Sequence, residues 1–420
     1  MSVAPRVIHR LRDFALWQPL EIRNFRLLWL GESVSLLGDQ FHFVALAWLT
    51  LQITGSGLAL GTVMMAASIP RAVFMLLGGV LSDWLSPRRM MLVSNAARAL
   101  VVATITGLIL FEAIQLWHLY VLAVVFGLVD AFFHPAFMTI VPGLVGKDRL
   151  EAGNALLQGT AQVSVLVGPA PAGLLISAMG IPIAFAVDAV TFAFATLTLW
   201  LMREGSCQAQ VSRQDEVPDL NGLADSIGEG LRYAWGDPVI RAILFVVAAV
   251  DFSFVGPFTV GLASLADHRF AGGAVAFGTM LSMWGGGALL GTVVAGSIGQ
   301  PRRRGKLLLS ITAALGVGLS LLGIAPNVVL ASVVIGAMGL ASGFVNVVFM
   351  AWLQRRTDPQ MLGRVMSLVM LASLGLAPLS YALAGALADL HATIMFVAAG
   401  AIVLVASLFA IASRPVRSID

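Results

Sequence analysis

Glu32, Ser35, Asp39 and His42 interrupt one apolar run at spacings of three, four and three. That spacing sets them on a single stripe of a helix. A charge at the centre of a lipid-embedded helix costs about 2.5–3.5 kcal/mol on insertion scales, so two carboxylates on one stripe point to chemistry rather than packing. A carboxylate in a low-dielectric cavity is neutral when occluded and charged when it meets water, which is what carrying a proton requires. Asp39 lies near the middle of the run and Glu32 nearer one end. Two readings stand for each: a proton-coupling site, or a carboxylate neutralised by a neighbouring arginine or capping a helix.

Other apolar runs carry further ionisable residues. Arg71 and Arg98 are the natural charge partners for the span-1 acids, and Arg98 has the alternative of snorkelling to the membrane surface. Asp130 and His134 lie one turn apart and are candidate relays, with His134 beside Pro135. Asp188 and Asp251 are the remaining deep acids; Asp251 opens the second half and is expected to face the first across a cavity. Asp389, at a run's end, is expected to be solvated. Phe41, Phe132, Phe252 and Trp284 are candidate walls of a substrate cavity.

These residues need helices in lipid to hold them. The 420-residue chain is 59% hydrophobic and 11% charged, against about 25% charged in soluble proteins. A spanning helix takes roughly 20 apolar residues, and a dozen take about 240. Twelve apolar runs can be drawn, six over residues 27–202 and six over 239–411. They are continuous rather than alternating, which excludes a β-barrel. The expected fold is an all-α membrane protein with twelve transmembrane helices in two pseudo-symmetric six-helix bundles.

Of the 25 Lys and Arg, all but Arg71, Arg98 and Arg269 fall in the termini or at the loops after spans 2, 4, 6, 8 and 10. This bias puts both termini in the cytoplasm. Residues 1–26 form a basic arm and 412–420 a tail. The loop at 203–238 divides the halves; Leu220, Leu223, Ile227, Leu231 and Trp235 recur at helical spacing and predict an amphipathic surface helix. The halves repeat: Ala59-Leu60-Gly61-Thr62 echoes Ala276-Phe277-Gly278-Thr279, and Ala172-Gly173 recurs as Ala384-Gly385. Repeated six-span halves imply a transporter with its site near the midplane.

No enzyme signature is present: there is no Gly-Lys-Ser/Thr phosphate loop, His-Glu-x-x-His or Gly-x-Ser-x-Gly. The single cysteine, Cys207, excludes an intrachain disulfide and a cysteine metal cluster. No metal, no cofactor beyond a proton gradient and no removable signal peptide are expected. The basic cluster Arg302-Arg303-Arg304-Gly305-Lys306 fits topology and anionic lipid better than nucleic acid. Expected partners are a small-molecule substrate, protons and the lipid bilayer, with the chain acting as a monomer. A non-transporting membrane sensor is the reading from another class, and the lack of a sizeable soluble domain opposes it.

Gly79-Val-Leu-Ser-Asp83, followed by Arg88 and Arg89, resembles the loop signature between spans 2 and 3 of the major facilitator superfamily, with Trp84, Ser86 and Pro87 as departures. Gly168-Pro169-(x)3-Gly173 looks like the span-5 signature of its proton-driven antiporters. Leu37-Gly38-Asp39, Leu51-Gln-Ile-Thr-Gly-Ser56 and Asp130-Ala-Phe-Phe-His-Pro135-Ala136 resemble the branch of macrolide and multidrug exporters and the enterobactin exporter. The resemblance implies a bacterial inner-membrane antiporter working by alternating access on amphipathic drugs, or alternatively a siderophore or metabolite exporter. It also implies a cytoplasmic gate of Gly79, Asp83, Arg88 and Arg89. Asp83 would dock near Leu362-Gly363-Arg364, and the arginines would meet an acid such as Asp148 or Glu151. Gly168, Pro169 and Gly173 would form a span-5 hinge.

Overall fold

The computed structural model describes residues 15–84, 86–203, 232–233, 235–270, 272–298, 304–358 and 361–412. The expected amphipathic helix within 203–238 lies almost wholly outside the described residues. So do the basic arm up to residue 14 and the tail beyond 412.

Backbone amides in lipid must be satisfied within their own segment, so the apolar runs become helices. A short 3-10 turn, Ala15–Glu21, leads into α1 (Arg23–Thr54), α2 (Gly57–Trp84), α3 (Pro87–Leu110) and α4 (Leu116–Val145). Span 5 comes in two pieces, α5 (Leu150–Val167) and α6 (Pro169–Met179), bent by 41°. Pro169 removes an amide and clashes with the preceding turn, which is the cause of the bend. Then come α7 (Ile181–Trp200) and, in the second half, α8 (Pro238–Gly256), which runs through a π-helical turn at Pro257–Gly261 into α9 (Leu262–His268). The rest are α10 (Gly273–Ile298), α11 (Arg304–Ile324), α12 (Val328–Arg356), α13 (Leu362–Gly375) and α14 (Ala377–Ala412).

Among the described residues ten helical stretches are long and apolar enough to cross a membrane, and the bent pair is an eleventh. One of the ten, Leu368–Ile411, has 44 residues. At 1.5 Å per residue it is about twice the roughly 30 Å hydrocarbon thickness. His391 leaves helical geometry inside it, at φ −161° and ψ 106°. The stretch is therefore two crossings, and the total is twelve.

By contact the chain forms two units. The first holds residues 1–45, 66–168 and 178–215; the second holds 46–65, 169–177 and 216–420. The first unit's apolar core includes Phe25, Leu28, Met91, Phe133, Ile140 and Leu199. There α1 lies directly on α7. A Cβ at Gly31 would strike the Thr198 hydroxyl, and one at Gly38 the Thr191 hydroxyl. Both the glycines and the threonines are a heptad apart, so two close approaches fall in register along one helix pair. Arg88 donates from Nε to the Leu199 carbonyl and from Nη2 to the Trp200 carbonyl, both at 2.8 Å, closing the end of α7.

In the second unit α10 and α12 meet through small residues, with Gly287 against the Gly336 carbonyl and Gly343 against the Ala288 carbonyl. Asp237 caps α8 by accepting from Val239 N–H at 2.8 Å, and it pairs with Arg356 at the end of α12 at 3.0 Å. Arg269, the exception to the charge bias, donates to the Gly323 carbonyl at 2.7 Å and to Thr393 Oγ1 at 2.9 Å. It ties the end of α11 to the start of the last crossing.

Candidate functional site

The first unit carries a buried layer of charge. Asp130 on α4 stands between two guanidinium groups, with Arg71 Nε 3.1 Å from Oδ2 and Arg98 Nη1 3.3 Å from Oδ1. Arg98 is only 4% exposed and does not snorkel. Its guanidinium lies over the rings of Phe133, 4.1 Å from the centroid, and Phe192, at 4.9 Å. Two aromatic faces thus replace part of its hydration. Its Nε and Nη2 are buried without a hydrogen-bond partner among the described residues, as is Asn95 Oδ1 one turn earlier on α3.

A second pair lies on the same stripe of α1. His42 Nδ1 stands 3.1 Å from Asp188 Oδ2 on α7. Asp188 is fully buried, and Thr191 Oγ1 stands 3.4 Å from its other oxygen. The His42 ring stacks on Phe126 at 4.7 Å and meets Phe185 edge-on at 5.5 Å. The absent side chain at Gly38 is what admits Asp188 and Thr191 to α1.

The expected pairing of Arg71 and Arg98 with the span-1 acids is corrected: both arginines go to Asp130. Helical spacing sorts residues onto faces but carries no information on which neighbouring helix a face meets. Glu32 is buried and Asp39 half-buried, and among the described residues neither makes an ion pair. Asp130 and Asp188 are thus both matched, and the two carboxylates of the α1 stripe are left over. His134, half-buried, sits one turn past Asp130.

The second unit holds a separate cavity of about 230 Å³ between α8, α11, α12 and α13. Asp251 lies in its wall beside Thr312, Ser342 and Asn346, and accepts a hydrogen bond from Ser373 Oγ. Trp284 joins a three-ring cluster with Phe254 and Phe258, at centroid distances of 5.0 and 4.8 Å. Phe132 instead packs against the first unit's apolar core. Phe41 and Phe252 are half-buried, and the Phe252 carbonyl accepts from Ser380 Oγ. Sequence reasoning missed Asn95, Asn346, Ser373 and Phe258. Asn95 had a signal, since it stands three residues before Arg98 in an apolar run.

The gate residues divide. The expected docking of Asp83 rests on side chains that are not described, those of Asp83 and of residues 362–364, and so lies outside the described residues. Arg88 is buried on the end of α7, and Arg89 is exposed. At the span-5 signature, a Cβ at Gly168 would crowd the Gln40 side chain and one at Gly173 the Ala274 carbonyl. Asp389 is exposed, as expected, and it also accepts from Ser56 Oγ at 2.6 Å and from the Leu58 amide at 3.1 Å, capping α2.

Twelve apolar crossings, repeated halves and a charged layer buried within the spans define a multi-pass membrane transporter. A family model described as transmembrane secretion effector, within the major facilitator superfamily, matches residues 14–420, and the chain belongs to that family. It is 29% identical over 374 residues to the multidrug efflux pump Tap of Mycolicibacterium fortuitum, covering 85% of this chain and 88% of that one. It is 24% identical over 347 residues to macrolide efflux protein A of Streptococcus pyogenes, covering 82% and 84%. Among solved structures, a bacterial homologue of the iron transporter ferroportin in an inward-facing state aligns with a TM-score of 0.68 at 18% identity, over 92% of this chain and 97% of that one. The nucleoside transporter NupG aligns at 0.70 and 15% identity, over 92% and 98%. At those identities the likeness is one of fold alone.

Proposed function

We propose that the protein is a proton-coupled exporter of amphipathic small molecules, working by alternating access in a bacterial inner membrane with both termini in the cytoplasm. The observation that carries the coupling is the charge balance of the first unit. Asp130 takes both arginines and Asp188 takes His42, which leaves Glu32 and Asp39 without an ion pair among the described residues. Holding either ionised away from water is costly, so each is charged when the layer is hydrated and protonated when it is occluded. The proton gradient would be the energy source, with no bound cofactor, and the chain would work as a monomer on the ions and the small molecule alone. The relatives named as multidrug and macrolide efflux proteins support the export direction and the substrate class. The siderophore or metabolite reading needs an arginine free to hold an anion, and Asp130 engages both.

Reconstitution tests this. Protein in liposomes under an imposed pH gradient should move a lipophilic cationic or neutral drug. Asp39→Asn and Glu32→Gln should each weaken gradient-driven movement, and the double variant should abolish it while leaving downhill exchange. Gradient-driven transport at the wild-type level in the double variant would remove both acids from the coupling step.

A further inference from the structure

Within the second unit, two helix seams lie at the end of the spans away from the basic loops. In one, α2 crosses α14: a Cβ at Gly61 would run into the Tyr381 carbonyl, and one at Gly385 into the Gly57 carbonyl. In the other, α10 crosses α6: Gly278 meets the Pro169 carbonyl in the same way, and Gly173 the Ala274 carbonyl. The contacts correspond position for position in the two repeats. Gly61 answers to Gly278, Tyr381 to Pro169, Gly385 to Gly173 and Gly57 to Ala274. At these glycines each seam is backbone laid on backbone, and the approach there is held by van der Waals contact.

One residue breaks the equivalence. Asp389, one turn past Gly385, accepts from Ser56 Oγ at 2.6 Å, from the Gly57 amide, and from the Leu58 amide at 3.1 Å. These are the free amides at the start of α2, where a negative charge is favoured. The corresponding place beside Gly173 holds Ser177, which carries no charge. The start of α6 is capped by a neutral group, with the Ala170 amide donating to Ser282 Oγ at 3.0 Å. Basic groups line the same outer recess as Asp389 but are engaged elsewhere: Arg269 on Gly323 and Thr393, and His268 Nδ1 at 3.1 Å from the Ser264 carbonyl. His391, also in that recess, is exposed.

We propose that Asp389 is the hook of the outer gate. Its carboxylate sets how readily the α2–α14 seam parts, while the cap across the α6–α10 seam is the neutral Ser282 hydroxyl. This deepens the alternating-access reading and rests on it for its meaning in transport. Charge-assisted bonds are directional and fail over a small displacement, so the hook holds the closed seam and adds little once the helices separate.

The test uses the full-length protein in nanodiscs, with Cys207→Ser and spin labels at Leu58 and Leu383, both exposed side chains flanking the seam. The inter-label distance is measured in wild type, Asp389→Asn, Asp389→Glu and Ser282→Ala. Removing the charge should raise the ratio of long to short distances about three- to tenfold. Asp389→Glu should restore most of the short population, and Ser282→Ala should leave it unchanged. Ser56→Ala, which removes one donor and leaves the carboxylate, should shift it in the same direction by less, and serves if the Asp389 variants fold poorly. Identical distributions in wild type, Asp389→Asn and Ser56→Ala would overturn the hook. Lengthened distances with unaltered efflux would keep the hook and count against the alternating-access reading, so the two failures are told apart.

Discussion

Asp130→Asn keeps the shape of the side chain and removes only its charge, leaving two guanidinium groups facing an amide. Their surroundings differ, and that difference sets the size of the effect. The Arg71 side chain is 42% exposed, so water takes over its solvation and losing its ion pair costs about 0–1 kcal/mol. Arg98 is shut in under Phe133 and Phe192, with two nitrogens already lacking partners. Stranding a buried charge costs about 3–5 kcal/mol. For a unit of this size that corresponds to a drop in unfolding temperature on the order of 10 °C. Arg71→Ala should change the melting point little. Arg98→Met leaves Asp130 held by Arg71 and should fall between the two. The combination Asp130→Asn with Arg98→Met should recover most of the loss, giving a coupling energy above about 1 kcal/mol in the double-mutant cycle. Thermal unfolding in detergent, followed by fluorescence-detected size exclusion, reads all four proteins. Equal losses in Arg71→Ala and Asp130→Asn, or strictly additive effects of Arg98→Met and Asp130→Asn, would refute the account of a buried guanidinium neutralised mainly by Asp130.

Gly38→Val should destabilise the first unit by about 1–3 kcal/mol, because its side chain would displace Thr191 and Asp188; expression and melting temperature measure this, and a neutral result would mean α1 and α7 do not approach as described. Arg88→Ala should cost about 1.5–3 kcal/mol through the unmade bonds to the Leu199 and Trp200 carbonyls, seen as early proteolysis near the end of α7. Arg356→Ala, where the side chain is 38% exposed, should lose no more than about 1 kcal/mol in the same melting assay, and a larger loss would show that Asp237 depends on it.

Much of this architecture was legible in the sequence. Apolar run length gave the crossings, and the Gly168-Pro169 pair marked the bend in span 5 because proline cannot take part in an interior helical hydrogen bond. The glycine echoes Gly61/Gly278 and Gly173/Gly385 marked two backbone crossings, because only glycine permits such an approach. The stripe of Glu32, Ser35, Asp39 and His42 also read correctly as one face: Glu32, Ser35 and His42 are buried together. Pairing was not legible. That Arg98 meets Asp130 rather than Glu32, and that His42 meets Asp188, depends on which helices lie side by side. Asp389 is exposed as its place at a run's end suggested, but its capping role was not legible, for the same reason. Nothing near it in sequence needs a carboxylate; the amides it caps begin a helix at the other end of the chain.

Arg269 has a consequence for assembly order. It bridges the Gly323 carbonyl and Thr393 Oγ1, and Thr393 also donates to that carbonyl at 2.7 Å. Thr393 lies 124 residues after Arg269 in the chain. The staple along this rim of the second half therefore cannot form until Thr393 has been made and inserted, however far the earlier spans have packed. Until then Arg269 carries a charge with half of its eventual partners missing. A chain halted before residue 393 would show an exposed rim to quality-control proteases, and one that includes Thr393 would not.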